Sequence, residues 1–125
     1  MVPGPRELND QGVRRAPSVR STASDQWRAA LALSGEIDLA MAPDLRTELE
    51  RHLDAGRRVI RVDMSEVSFI DSSAIGELIR ATEWCRREHG SLILTGVPLR
   101  VRRLIALGGL DAVLLVDTVG DGPAT

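Results

Sequence analysis

Between Arg58 and Thr95 the chain changes its hydrophobic period twice, and this restricts its fold more than any other feature. Arg58-Val59-Ile60-Arg61-Val62-Asp63-Met64 is rich in β-branched residues and reads as a strand. From Ser72 to about His89 the inward positions Ile75, Leu78, Ile79 and Thr82 recur at helical spacing, with Gly90 as a carboxyl cap. Ser91-Leu92-Ile93-Leu94-Thr95 then returns to strand character, and its apolar run suits a position covered by helices. Strand, helix and strand in this order form a crossover unit with parallel strands.

The flanks extend the alternation. Val19 to Thr22 is a short extended piece that turns at Ser24-Asp25 and returns as Trp27 to Leu33, a candidate antiparallel hairpin broken at Gly35-Glu36-Ile37-Asp38. Ala42-Pro43-Asp44-Leu45 opens a helix, with proline in the first turn where a missing amide donor does no harm. Leu45, Leu49 and Leu53 line its inner face, and Gly56 ends it. Pro98 starts a third helix with Val101, Leu104 and Ile105 inward and Arg100, Arg102 and Arg103 outward. Gly108-Gly109 stops that helix, and Ala112 to Val116 is a last short strand. The expected fold is α/β: a single domain over residues 19–117, with a mixed, mainly parallel sheet packed with helices. Residues 1–18 hold three prolines and three arginines without apolar periodicity and are expected to form a flexible arm; residues 118–125 are expected to be a flexible tail.

Bulk properties exclude several classes of function. The formal net charge of −2, with all sixteen basic residues arginine, argues against a nucleic-acid partner. One cysteine, Cys85, excludes a disulfide framework and cysteine-pair zinc sites, and no metal or cofactor is expected. No apolar run reaches the ~20 residues that span a bilayer, and residues 1–7 carry no signal-peptide core, so no membrane association and a cytoplasmic location are expected. Cys85 falls on the buried stripe, as a small hydrophobe rather than a redox sensor. Trp84 lies off that stripe and is expected to be partly exposed. His52 and His89 sit near helix carboxyl ends, where a cation is favourable.

Chemistry concentrates in Val67-Ser68-Phe69-Ile70-Asp71-Ser72-Ser73-Ala74-Ile75-Gly76. Asp71, Ser72 and Ser73 are all good capping residues, because their oxygens can accept hydrogen bonds from the unpaired amides of a helix's first turn. Two hydroxyls are thereby offered near the surface. Asp38, Asp63 and Ser72 all follow strands and are expected to gather on one rim. Gly76 inside a helix costs ~1 kcal/mol against alanine and suggests close packing against the sheet or a partner.

Asp63-Met64-Ser65 followed by this turn resembles the signature of STAS domains, specifically the bacterial anti-sigma factor antagonists. Ser34-Gly35-Glu36-Ile37-Asp38 and Pro98-Leu99-Arg100-Val101-Arg102-Arg103-Leu104 with Gly109-Leu110 support the resemblance, which runs over roughly Val19 to Val116. It implies a STAS-type fold and a partner switch. The unphosphorylated protein binds a serine-kinase anti-sigma factor of the histidine-kinase-like ATPase fold and frees a sigma factor; phosphorylation blocks binding, and a phosphatase resets the system. Carried onto this chain, the acceptor is Ser72, with Ser73 the neighbouring candidate, and the partner surface comprises Asp38, Asp71, Ser72, Ser73, Ala74 and Gly76.

This sequence departs from the family in two places. Ala74 stands where the family usually has glycine, and residues 119–123 cannot form the usual final amphipathic helix. Two other readings compete. A hydrolase elbow would need flanking glycines and a placed histidine, which the turn lacks, so no enzymatic activity is expected. A STAS module that senses a nucleotide or small ligand, or scaffolds an assembly without being phosphorylated, is the alternative.

Overall fold

The computed structural model describes residues 16–117. Its elements are β1 (Ser18–Ser24), β2 (Arg28–Ile37), α1 (Ala42–Asp54), β3 (Val59–Ile70), α2 (Ser72–Arg87), β4 (Ser91–Thr95), α3 (Leu99–Leu107), a 3₁₀ turn (Leu110–Ala112) and β5 (Leu115–Val116). The five strands lie side by side in chain order, β1 antiparallel to β2 and every later pair parallel. The expected mixed, mainly parallel sheet with its leading hairpin is the observed one. The greater part of the expected 1–18 arm, and the whole 118–125 tail, lie outside the described residues, while Ser18 already belongs to β1.

Alternation along the strands shows where the core sits. Ala29, Leu31, Leu33 and Ile37 of β2, Ile60, Val62 and Met64 of β3 and Leu92 and Leu94 of β4 are buried, and so are Leu45 and Leu49 of α1, Leu78 and Cys85 of α2 and Val101 and Ile105 of α3. All belong to one cluster between the helices and a single sheet face. Along β3 the intervening Arg61 and Asp63 are exposed, and Ile93 on β4 is half-buried. β4 is therefore covered on one face, rather than on both as its apolar run suggests.

Several local expectations are corrected. The second strand does not break at Gly35. It continues to Ile37 through a register shift between Gly35 and Glu36, with Gly35 at φ 76° and so close to Pro17 that an added methyl would sit 3.0 Å from its Cα. β3 likewise does not end at Met64. It runs on to Ile70 because the extended β2 supplies partners, Gly35 for Val67, Glu36 for Phe69 and Ile37 for Ile70. After α2 it is His89, at φ 63°, that takes the left-handed turn. Gly90 instead passes Arg58 so closely that a methyl would lie 1.9 Å from its carbonyl oxygen. Residues 110–112 form the 3₁₀ turn, leaving β5 only two residues long. Leu104, expected inward, is half exposed, since Val101 and Ile105 alone fill the inner side of α3.

Candidate functional site

The extension of β2 and β3 beyond the end of β4 carries two turns outward together: Asp38 to Met41 after β2, and Asp71 after β3. Asp71 joins them. Its backbone is extended (φ −113°, ψ −179°), as an N-cap requires, and its Oδ1 accepts the amides of Ser73 at 2.9 Å and Ala74 at 3.2 Å. Its Oδ2 accepts the amide of Leu39 at 3.0 Å, and its own amide donates to the Ile37 carbonyl at 3.3 Å. Asp38 organises the other turn, with Oδ1 accepting the Ala40 amide at 3.0 Å and its carbonyl accepting from Met41 and Ala42. Both aspartates thus satisfy amides.

Ser72 begins α2 and is exposed, whereas Ser73 is half-buried. A group added to the Ser72 hydroxyl would project into solvent beside the first turn of a 16-residue helix, where the positive dipole end favours negative charge. Gly76, one turn further along the same face, is also exposed. A methyl built on Gly76 would meet nothing within 4 Å, which overturns packing against the sheet as the reason for that glycine. Ala74 is placed differently from expectation. Its side chain is fully buried in the core rather than presented on the partner surface.

Asp63 does not join the rim. Because β3 is longer than expected, Asp63 sits mid-strand, opposite Ala32 and Thr95, with Oδ1 accepting the Ser65 amide at 2.9 Å. Seven residues lie between it and Asp71, and the eight steps of extended chain span roughly 25 Å. Sequence reasoning missed Leu39, in the turn after β2, and Phe69, near the end of β3, which are 71% and 49% exposed. A large apolar residue beside each capping aspartate, Leu39 after Asp38 and Phe69 two positions before Asp71, was the available signal.

The remaining chemistry-bearing residues lie away from the turn. His52 is buried, contrary to its expected role as a cation at a helix end. Burial and the flanking Arg51 and Arg57 hold its pKa below the ordinary range, so the neutral ring is favoured. Arg57 donates to Nδ1 at 2.9 Å, which leaves Nε2 to donate to the Ser21 hydroxyl at 2.8 Å. Ser21 in turn donates to Glu48, whose pKa is lowered to about 2 chiefly by the hydrogen bond from Arg51. Cys85 is fully buried, and desolvation pushes its thiol up to about 11. Trp84 is 44% exposed, with the Arg87 guanidinium 5.7 Å from its ring centre. No helix is long and apolar enough to cross a membrane among the described residues.

Comparison with known proteins agrees with this geometry. The STAS family profile described as "Mlab, STAS domain" matches residues 21–117. The anti-sigma-B factor antagonist of Listeria monocytogenes is 32% identical over 102 residues, covering 82% of this chain and 90% of the relative. Among solved structures, the anti-sigma factor antagonist SpoIIAA in its unphosphorylated form superposes with a TM-score of 0.71 at 19% identity, covering 83% of this chain and 91% of SpoIIAA. The phosphorylated form of the Bacillus protein SpoIIAA gives 0.65 at 18%, with 83% and 95% covered. The chain belongs to the STAS domain family, among the bacterial anti-sigma factor antagonists.

Proposed function

We propose that this chain is a phosphorylation-controlled partner switch. Unphosphorylated, it binds a kinase-type anti-sigma factor through the Asp71-Ser72-Ser73 turn and its surroundings and so frees a sigma factor; phosphorylation of Ser72 blocks that binding, and a phosphatase restores it. The chain serves as acceptor and ligand and is not itself a catalyst. The observation that carries this reading is the exposed Ser72 at the start of α2, held by a neighbouring aspartate whose oxygens are already engaged. Ser72 is favoured over Ser73 because Ser72 is exposed and Ser73 is half-buried.

The physics of the switch follows from the site. A phosphate adds roughly −1.5 to −2 charge at neutral pH, which a helix amino end tolerates, so the fold persists. A docked partner has desolvated that position, with Leu39 and Phe69 on either side and the bare Gly76 allowing its backbone to approach α2. Charge and bulk placed there, beside the carboxylate of Asp71, break the complementarity. Binding is lost while the structure remains. The Listeria relative's name as an anti-sigma-B factor antagonist supports the class of partner, and the two SpoIIAA forms support the chemistry of the switch.

The test is intact-mass spectrometry of the purified chain after incubation with ATP and each kinase-like anti-sigma factor encoded in its own genome, followed by peptide mapping. A gain of one phosphate at Ser72 from one of them is expected. Stable binding without any phosphate would remove the switch and leave an unswitched antagonist.

A further inference from the structure

Helix α3 turns only Val101 and Ile105 fully inward. At 100° per residue its opposite side carries, in order around the helix, Leu99, Arg103, Leu107, Arg100 and Leu104. Every one of these is exposed, and the leucines stand 54%, 88% and 49% open at positions 99, 107 and 104. Three large apolar side chains interleaved with two cations on a nine-residue helix is more than scattered surface leucine. The helix contains no acidic residue, although the chain as a whole is net negative. Its outer face is therefore a local basic and apolar patch.

This patch continues into the switch turn. A cleft of about 220 Å³ lies between the two, lined by Ser68, Phe69 and Ile70 at the end of β3 and by Arg100, Val101 and Leu104 of α3. Ile70 immediately precedes Asp71. Within the cleft wall the Ser68 hydroxyl is buried without a hydrogen-bond partner among the described residues, and the Phe69 ring at the rim is half exposed. An apolar side chain with a polar tip would fill such a space.

We propose that the outer face of α3 is a second docking surface for the anti-sigma partner and receives an acidic amphipathic segment from it. That segment's apolar residues cover Leu99, Leu104 and Leu107, and its carboxylates meet Arg100 and Arg103. The surface rests on the partner-switch reading and adds to it a division of labour. The turn at Ser72 decides whether the partner stays, and α3 supplies contact area and a charge pattern that selects which partner arrives. Because the segment is acidic, a phosphate on Ser72 carries charge of the same sign, so modification at the turn opposes both halves of the contact.

The test measures affinity by calorimetry between the unphosphorylated chain and the kinase-like anti-sigma factors of its own genome. The variants are Leu104→Glu, Leu107→Glu, the double change Arg100→Glu with Arg103→Glu, and Ser72→Glu. All the α3 side chains changed are exposed, so melting temperatures should stay near that of the parent. Each leucine change should weaken binding about tenfold or more, and the double arginine change should weaken it and flatten its dependence on salt. Unchanged affinity and salt dependence for all three α3 variants, with Ser72→Glu still blocking, overturns the α3 surface and leaves the switch standing. If no candidate binds the parent chain, the switch falls and the α3 surface with it. Binding of the parent to phosphatidylglycerol vesicles that is lost in the α3 variants, with partner affinity unchanged, assigns the face to an anionic membrane and also overturns the proposal.

Discussion

The carboxylate of Asp71 accepts the amide of Leu39, 32 residues earlier in the chain, at 3.0 Å. One oxygen closes the β2–α1 turn onto β3 while the other caps α2. Asp71→Ala should therefore lower the unfolding free energy by about 1–2 kcal/mol in urea titrations, the range of a lost N-cap. Asp71→Asn keeps an acceptor for the α2 amides or for Leu39 but not both, so its loss should fall between. Equal stability of all three proteins would mean that the capping bonds contribute nothing net.

Ser72 variants separate charge from fold. Ser72→Ala should bind the anti-sigma partner constitutively, and Ser72→Asp or Ser72→Glu should bind weakly, by calorimetry at matched salt. Chemical denaturation should differ little among them, since the side chain is exposed at the first helical position. Equal affinity in all of them would exclude a switch at this residue.

Gly76 offers a variant in which stability and binding move in opposite directions. Alanine there has open space and better helix propensity, so Gly76→Ala should stabilise the free chain by up to about 1 kcal/mol. The same methyl stands one turn from Ser72 on the proposed contact face and should weaken partner binding several-fold. A stabilised protein that binds as before would show the glycine to be incidental.

Much of this was legible in the chain. The change of period between Arg58 and Thr95, the proline near the start of α1 and the Asp-Ser-Ser run located the alternation of strands and helices and the Asp71-Ser72-Ser73 turn, because each is a local signal with one dominant physical cause. What was not legible depended on pairing. Nothing within Val67 to Ile70 announces that it continues β3; that follows from β2 passing through Gly35 by a register shift, which keeps Asp63 away from the rim. The fates of Ala74 and Leu104 turned on a few tens of degrees of helix rotation, which the packed core decides and apolar spacing alone does not. His52 was misjudged because its neighbours come from β1 and the α1–β3 loop as well as its own helix.

Acid should weaken the fold in two stages. For His52 the folded-state pKa lies below the ordinary 6.5, so the unfolded chain binds the proton first and stability declines as pH falls below about 6.5. The proton would also displace Arg57 from Nδ1. For Glu48, lowered from 4.5 to about 2, the stabilisation is present above 4.5 and is lost as pH falls from there toward 2. Denaturant midpoints measured between pH 8 and pH 3 should show both declines. His52→Gln, whose amide can donate to Ser21 and accept from Arg57, should abolish the first and keep the second.

Cys85 should resist thiol-specific reagents in the native chain, with its thiol raised to about 11 and its side chain fully enclosed. Labelling should track the unfolded fraction, and fast labelling under native conditions would reveal local opening of α2.

Because Asp71 already holds the amides that a nearby anion would seek, the proposed modification of Ser72 would leave the shape of the turn unchanged. No relaxation of the backbone has to follow the chemistry in either direction. Under the proposed switch the molecule would behave as a one-bit memory with no mechanical lag. Its write and erase times would be those of the enzymes acting on it, and its retention time the lifetime of a phosphate ester.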